Sequence, residues 1–560
     1  MGTPLGAREL NLSDRSILFI KILFVVSVTS IAIVMTHKPI DLGSYGYIVV
    51  ATDPNPFVPG IIVAALLTVF VMKTNLLQNA FRRIDYKVML VTVFFFIGWC
   101  NINGLGKHNG QVIGPESMTF GTTLDKLLAS FGGVDVVLFD SAIYYFSFIG
   151  AFLILFVVVS AIYPHISGFL KGLDRFERTF LVAGIILSLV VISVVFSLST
   201  AYYGSVDDIV GTRNLIFTGD GSDVANGLYG IGRHPLYFIF SLPLTLFASC
   251  IYVFIPVDVA YYIAFQWATV FTMMLTILMV VRMLRLDGRI KIFAILFMAF
   301  SYSAMLNSLA VERSVLSAFY IVLAVYLVMN NRRESNVGFV GAAGTMTFSL
   351  ALLPIALKER LYGPFLKNLL IMATVFLFLL CLSGDLYQMN SITSDASGNV
   401  GIWGNIGFEV PLLDTLRIFS VNLFAILLRP DTIEEGASYL MAPITQFSLI
   451  GIAILASAVL GFIVSRKDKY SKICFYWLLM SVLLLVVVGW GVKEGDGSIL
   501  MVMFSWAYIS LMIRLLLNIS QRIPEKLTLA VMIMILAPMI LYNLLGIYDL
   551  VEWSIRVWPR

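Results

Sequence analysis

The chain has 560 residues, of which 59% are hydrophobic and only 12% are charged, and its mean hydropathy is +0.93. Apolar runs of about 18–25 residues recur along its whole length, which excludes a soluble globular protein and predicts a polytopic helical membrane protein. The net charge of +4 says little about partners, because membrane proteins carry basic residues for topology, and we expect no nucleic-acid partner.

The first five predicted spans lie at 17–36, 60–77, 88–104, 141–163 and 179–200. Basic residues cluster in two of the connections, which the positive-inside rule places in the cytoplasm. These residues are Lys73, Arg82, Arg83, Lys87, Lys171, Arg175 and Arg178. The loop 202–235 is therefore predicted to be external.

The middle of the chain has apolar segments at 236–255 and 258–281, separated by Pro256. The cations that follow, Arg282, Arg285, Arg289 and Lys291, require an odd number of crossings for a cytoplasmic position. One segment is therefore expected to be re-entrant or broken, at Pro243 or Pro256. Predicted spans 292–309 and 314–330 then form a hairpin whose tip, 311–314, is external.

Further apolar segments lie at 337–356 and 365–383, followed by an external loop at 384–412. Arg417 interrupts the apolar run 413–428, which favours a short in-plane or partial helix. Predicted spans 443–464, 473–490, 499–517 and 527–547 complete a total of roughly 13. The basic run 466–472 is expected to be cytoplasmic, and the turn 491–498 external.

The polar loop 201–242 is the best candidate for chemistry, since it carries Asp207, Asp208, Asp220 and Asp223 in a chain that is mostly apolar. Asp220 and Asp223 lie in a glycine-rich run that lets the backbone approach a ligand closely. Arg233 and His234 follow, before Pro235 opens the next helix. A carboxylate near a cation at the membrane edge suits acid/base or phosphate chemistry, although external loops are also polar simply because they are hydrated.

Two other charged turns are predicted on the same side. Glu312 and Arg313 stand between apolar segments, where they could simply keep the hairpin tip out of lipid, but ionisable groups at the membrane edge are costly and often functional. Lys493 and Glu494 form a second turn, which is either solvated or contacts a donor phosphate. The predicted catalytic residues are Asp220, Asp223 and Glu312, and the predicted substrate-binding residues are Arg233, His234, Arg313, Lys493 and Glu494.

No metal-ligand or nucleotide-binding motif is present. Cys100, Cys250, Cys381 and Cys474 are far apart in apolar stretches, which predicts core packing. The run 338–344 (GFVGAAG) is interpreted as small-residue helix packing, because it lacks the strand and the Lys-Ser/Thr of a phosphate-binding loop.

An external loop with a central aspartate, followed by His-Pro-Leu at the start of a span, resembles the GT-C superfamily of membrane glycosyltransferases, which includes protein mannosyltransferases and aminoarabinose transferases. Residues 217–224 (FTGDGSDV) and 233–236 (RHPL) look like a poorly characterised bacterial GT-C-like group. Residues 311–314 (VERS) are similar to the Pro-Glu-Ser of that group, and 489–491 (GWG) to its late glycine-containing turn. The resemblance covers about 175–547.

The resemblance implies an all-α, GT-C-like transmembrane bundle in a bacterial cytoplasmic membrane, with 1–170 as an accessory four-span bundle and 171–560 as the catalytic core. It implies transfer of a sugar from a polyprenyl-phosphate donor to a glycan, lipid or protein acceptor at the outer face. Asp220 would act as general base or hold a divalent cation, the one cofactor that remains open, and cations would hold the donor phosphate. Two alternatives are a transporter or flippase and a polymerase or ligase of lipid-linked glycans.

Overall fold

The computed structural model describes residues 8–9, 13–36, 57–101, 107–108, 111–112, 136–199, 236–311, 314–330, 335–345, 349, 365–383, 410–430, 446–488, 501–557 and 559. Within these ranges the chain is almost entirely helical, as the composition predicts. The only strands described are four of two residues each, which form two antiparallel pairs. These are β1 (Arg8–Glu9) with β2 (Arg83–Ile84), and β3 (Lys107–His108) with β4 (Gln111–Val112).

The helices of the first half follow the apolar runs closely, because in lipid the backbone must satisfy its own hydrogen bonds. They are α1 (Asp14–Thr36), α2 (Phe57–Lys73), α3 (Leu76–Arg82), α4 (Tyr86–Cys100), α5 (Val136–Lys171), α6 (Arg175–Leu198), α7 (Tyr237–Phe254) and α8 (Asp258–Leu284).

The second half contains shorter and more interrupted helices. They are α9 (Gly288–Ala299), α10 (Tyr302–Asn307), α11 (Ser314–Met329), α12 (Ser335–Thr345), α13 (Phe365–Ser383), α14 (Leu412–Leu427), α15 (Leu449–Ser465), α16 (Lys469–Val482, continued by a π-helical turn Leu483–Val487), α17 (Val502–Ser520) and α18 (Glu525–Val557).

Seven stretches of the described chain are long and apolar enough to cross a membrane, judged by length and composition. They lie in α1, α5, α6, α8, α16 with its π turn, α17 and α18. Six further apolar helices of 10–17 residues are shorter: α2, α4, α7, α11, α13 and α15, in part or whole. The prediction of a helical membrane protein therefore agrees with the structure.

The chain divides into two compact units. Unit 1 contains the described residues of 1–178, 224–265 and 373–394, and unit 2 contains those of 179–223, 266–372 and 395–560. The edge of unit 1 at Arg178 lies near the predicted boundary at residue 170, but unit 1 also takes in later segments. The division into an accessory bundle and a catalytic core stays a prediction.

Unit 1 is held together by apolar packing and by glycines at helix crossings. α1 packs against α2 and α5, and α4 packs against α5 and α7. A Cβ at Gly98 of α4 would overlap the backbone of Leu246 in α7, and one at Gly150 of α5 would overlap the backbone of Ser27 in α1. These helices approach so closely that only glycine fits at the crossing.

Unit 2 contains the packing that the glycine-rich run 338–344 predicts. An added Cβ would come within 2.8 Å of Ala324 Cα at Gly338 and within 2.6 Å of the Tyr320 ring at Gly341. Ser317 Oγ also donates to the Thr345 carbonyl at 3.3 Å. α11 and α12 are therefore an antiparallel, closely packed pair, and the interpretation as helix packing is confirmed.

The predicted span 292–309 is wrong as a single helix. The chain runs as α9 to Ala299, bends at Phe300 and Ser301, and continues as the six-residue α10. Ser301 is extended, with φ −63° and ψ 146°, and Ser301 Oγ donates back to Met298 O at 2.7 Å. The segment has no proline or glycine at the break, so sequence alone does not reveal it.

The predicted segment 337–356 corresponds to a helix of only eleven described residues, α12. At 1.5 Å per residue it is about 16 Å long, shorter than the roughly 30 Å hydrocarbon core. Asn336 Nδ2 donates to Asn368 Oδ1 at 3.4 Å, so α12 and α13 begin at the same end. The external position of 384–412 stays a prediction.

Four smaller expectations have clear outcomes. Pro243 lies inside α7 without breaking it, whereas Pro256 falls between α7 and α8. Arg417 lies within the continuous helix α14, where it pairs with Asp414 at 2.8 Å. The last predicted span, 527–547, is part of a 33-residue helix. The four cysteines are free, and Cys250, Cys381 and Cys474 are buried, which confirms the expected core packing.

Candidate functional site

The eight predicted site residues lie outside the described residues. They are Asp220, Asp223, Arg233, His234, Glu312, Arg313, Lys493 and Glu494. Their assignment therefore stays a prediction. The structure describes instead the helices that flank them, and in unit 2 these helices carry an unusual set of buried polar side chains.

Gln266 of α8 is fully buried and ties α8 to the C-terminal end of α10. Its Nε2 donates to the carbonyl oxygens of Asn307 and Ala310, each at 3.1 Å. Carbonyls at a helix end have no partner within the helix, so a buried amide that satisfies two of them fixes the end firmly.

Asn307 continues this network towards α11. Its Nδ2 donates to Ser303 O at 2.8 Å, and its Oδ1 accepts from Ser314 Oγ at 3.2 Å. Ser303 Oγ in turn donates to Ile426 O at the end of α14, at 3.1 Å. Val311 and Ser314 are both buried, and a polar cluster of Gln266, Asn307, Ser303 and Ser314 joins the end of α10 to the start of α11.

Gln266 has unused hydrogen-bonding capacity. Its Oε1 is buried and has no hydrogen-bond partner among the described residues, although its Nε2 makes two bonds. A buried amide oxygen without a donor is costly, and in native proteins such a group often faces a water molecule or a ligand donor. Asn422 Oδ1 of α14 is a second buried oxygen of this kind.

The break between α9 and α10 is stabilised from α18. Asn543 Nδ2 donates to Phe300 O at 2.9 Å and to Leu427 O at 2.6 Å. Its Oδ1 accepts from the Arg429 amide at 3.2 Å. One fully buried amide therefore satisfies the carbonyl at the helix break, a carbonyl at the end of α14 and the amide that follows.

Arg429 places a cation next to this junction. Its Nη1 bonds Asp549 Oδ2 at 3.0 Å, and its carbonyl accepts from Tyr542 Oη at 3.2 Å. The guanidinium is largely but not fully buried, with 23% of the side chain exposed. It could contact an anionic group through its remaining N–H donors.

A cavity of about 40 Å³ lies within unit 2, next to the helix break. α8, α9, α10, α11 and α17 line it, mostly with apolar side chains, and Thr276, Ser301 and Ser505 contribute hydroxyls. Each hydroxyl donates its hydrogen to a carbonyl of its own chain segment. A molecule in the cavity would therefore find these hydroxyls available only as hydrogen-bond acceptors. The volume suits roughly three water molecules or a small polar group.

The same cavity brings together the first turns of α11 and α17. Val315 lies one residue after the start of α11, and Val502 and Ser505 lie in the first turn of α17. Trp477 Nε1 and Trp506 Nε1 both donate to Met503 O at 2.9 Å, which anchors that turn. The described starts of α11 and α17, which follow Glu312–Arg313 and Lys493–Glu494 in the sequence, are therefore neighbours in unit 2.

Sequence reasoning missed Gln266, Asn307, Asn543 and Arg429. The available signal was weak: three are amides within apolar segments, and Arg429 follows an amphipathic helix and precedes a proline. No group of three or more His, Cys, Asp or Glu side chains that could hold a metal occurs within the described ranges.

Comparison of the chain with models of protein families, with curated proteins and with solved structures found no match.

Proposed function

We propose that the chain is an integral membrane glycosyltransferase of the GT-C type in a bacterial cytoplasmic membrane. It transfers a sugar from a polyprenyl-phosphate donor to a glycan, lipid or protein acceptor at the outer face. The proposal includes about 13 spans; the seven span-length helices of the described chain support a polytopic protein, without fixing that number. It also retains residues 1–170 as an accessory bundle and 171–560 as the catalytic core.

The observation that carries this proposal is the convergence in unit 2 of the starts of α11 and α17 over a cavity, beside a buried polar cluster. The residues that precede these two helices include Glu312, Arg313, Lys493 and Glu494. Buried amides near a membrane-embedded helix break are costly and are most often retained for function. The arrangement supports one shared site for the two charged turns.

In the proposed reaction, the acceptor hydroxyl oxygen attacks the anomeric carbon of the donor sugar. The bond between that carbon and the phosphate oxygen breaks, and polyprenyl phosphate leaves with the bonding electron pair. Asp220 accepts the hydroxyl proton, with Asp223 as the second candidate, and Glu312 supports the site. Arg233, His234, Arg313 and Lys493 stabilise the phosphate charge, while Glu494 orients Lys493.

A second candidate is a transporter of lipid-linked glycans. The broken helix α9–α10 favours it, since discontinuous helices and buried amides near the middle of the membrane are typical of transporters. Transport moves the intact donor across the bilayer, whereas transfer consumes it. The two functions are therefore separable in one preparation.

The test uses the full chain reconstituted in vesicles with labelled polyprenyl-phosphate sugars and a crude envelope acceptor fraction. We expect release of polyprenyl phosphate and label in the acceptor, and Asp220→Asn should lower the initial rate by at least about 100-fold, the low end for loss of a general base. Asp207→Asn, in the same loop, is the matched control and should retain the wild-type rate.

An Asp220→Asn protein that inserts normally and transfers sugar at the wild-type rate would show that the catalytic assignment is wrong. Movement of intact donor between leaflets without any transfer would instead favour the transporter.

A further inference from the structure

The turn between α15 and α16 concentrates positive charge at one end of unit 2. Residues 466–472 read Arg-Lys-Asp-Lys-Tyr-Ser-Lys, which is four cations and one acid in seven positions. This end of the helices is the one that the charge pattern predicts to be cytoplasmic. The positive-inside rule accounts for cations here, but not for the way they are arranged.

Asp468, the single acid of this turn, already has hydrogen-bond and ion-pair partners. Asp468 Oδ2 accepts from the Ser471 amide at 3.0 Å, from Ser471 Oγ at 2.9 Å and from Arg514 Nη2 of α17 at 3.0 Å. Arg466, Lys467, Lys469 and Lys472 make no ion pair with any residue that the structure describes. The turn therefore has a local excess of four positive charges.

The turn is also recessed along the helix axis. Arg514, its partner on α17, lies six residues before the end of that helix at Ser520. At 1.5 Å per residue the turn therefore lies about 9 Å short of the end of α17. The turn therefore lies beside the last turns of α17 rather than beyond the end of that helix.

Exposed apolar residues come directly before the cations in the sequence and also occur near the end of α17. Leu460, Ile463 and Val464 in the last turns of α15 are exposed, as is Ile519 of α17. The rings of Phe462 and Phe475 stack with 3.9 Å between their centroids, so α15 and α16 pack against each other as a hairpin. The exposed apolar residues can contact the acyl chains of a lipid, and the cations at the end of the hairpin can contact its anionic headgroup.

We propose that this surface, formed by the last turns of α15, the turn 466–472 and the end of α17, binds an anionic diacyl phospholipid. The unpaired cations contact its phosphate, and Leu460, Ile463 and Val464 contact its acyl chains. A nucleic acid or an acidic protein would not need the adjoining apolar surface, so a lipid is the better match. The proposal is independent of the enzymatic function proposed above.

The test titrates the full chain, in a neutral maltoside detergent at 150 mM salt, with acyl-labelled phosphatidylglycerol or phosphatidylcholine. We expect saturable binding of phosphatidylglycerol, at least about tenfold tighter than that of phosphatidylcholine. Replacing Arg466, Lys467, Lys469 and Lys472 with Gln should weaken phosphatidylglycerol binding by at least about fiftyfold, given roughly fivefold per cation near the surface.

The matched control removes four exposed cations on other helices and turns: Lys73, Lys171, Arg285 and Lys367, each changed to Gln. It should change the affinity by less than about threefold, because each of these side chains lies outside the proposed surface. If the quadruple variant of the turn does not fold, Lys467→Gln with Lys472→Gln should still weaken binding by at least about fivefold.

Several outcomes would overturn the proposal. They are equal binding of the two lipids, equal losses in the turn variant and the control, and wild-type affinity in the turn variant. Displacement of the labelled lipid by 10 mM inorganic phosphate would indicate a simple anion site, and stronger displacement by polyglutamate than by unlabelled lipid would indicate an acidic protein partner.

Discussion

The two compact units bury polar side chains in different ways. In unit 1, Ser30, Thr92 and Thr245 donate to carbonyls four residues earlier in their own helices, at 3.0, 2.8 and 3.4 Å. Unit 2 has local bonds of this kind too, as at Thr276, but its Gln266 and Asn543 also reach across to carbonyls of other segments. A local bond needs no residue outside its own helix. A bond to a distant segment makes the position of one helix depend on the position of another.

This difference indicates how each unit specifies its fold. Close contact at glycines, where shape decides the fit, occurs in both units, as at Gly98 in unit 1 and Gly338 in unit 2. Unit 2 places polar groups at a helix break and at helix ends, where they must be satisfied by particular partners. Polar groups retained inside a membrane protein are the usual sign of a functional region, so the comparison points to unit 2.

The largest effect is expected from filling a glycine crossing in unit 1. Gly98→Val should lower the free energy of unfolding by more than about 3 kcal/mol, because the added atoms meet the Leu246 backbone, which cannot rotate away. The measurement is an SDS titration of the purified protein followed by circular dichroism. Gly168→Ala is the control: nothing lies within 4 Å of an added Cβ there, so stability should stay the same or rise slightly. Equal losses would mean that close packing is not what distinguishes Gly98.

Asn543→Leu in unit 2 should lower the free energy of unfolding by about 2–3 kcal/mol. The change leaves the carbonyls of Phe300 and Leu427 and the amide of Arg429 without their partner. Asn330→Leu, at an exposed helix end, should change it by less than about 0.5 kcal/mol. The same SDS titration measures both, and a neutral Asn543→Leu would contradict the dependence of the helix break on α18.

Gln266→Leu should cost about 1–2 kcal/mol, since it removes the donor to Asn307 O and Ala310 O but also relieves the unpaired Oε1. A double-mutant cycle with Ser314→Ala sharpens this, because both side chains bond Asn307. We expect a coupling free energy of at least about 0.5 kcal/mol. Strict additivity would show that the polar cluster does not act as one network.

The smallest effect is expected at the exposed ion pair of Arg289 and Glu525, whose N–O distance is 2.7 Å but whose side chains are 62% and 78% exposed. Glu525→Gln should change the free energy of unfolding by less than about 0.5 kcal/mol at moderate salt. The comparison variant is Asp468→Asn, at a less exposed pair with Arg514, which should cost about 1 kcal/mol. A larger loss at Glu525 would mean that exposure does not rank these pairs.

Most helix positions could be read from the sequence, because each apolar run must form its own backbone hydrogen bonds in lipid. The predicted span 179–200 falls largely within one helix, Arg175–Leu198, and Pro256 separates two helices, as the local pattern predicts. The break at Phe300 could not be read in this way, since the residue that satisfies its carbonyl, Asn543, lies 243 positions away.

The residues of the candidate site also fall into those that the sequence indicates and those that only the structure reveals. The sequence alone drew attention to Asp220, Glu312 and Lys493 by charge in an apolar chain, and these assignments stay predictions. Only the tertiary structure identified Gln266 and Asn543, because an amide in an apolar run has no visible role until its partners are known. Composition determines that this chain is a helical membrane protein, since burial in lipid is a local requirement. Which polar groups meet is decided by packing, since their partners lie far apart in sequence.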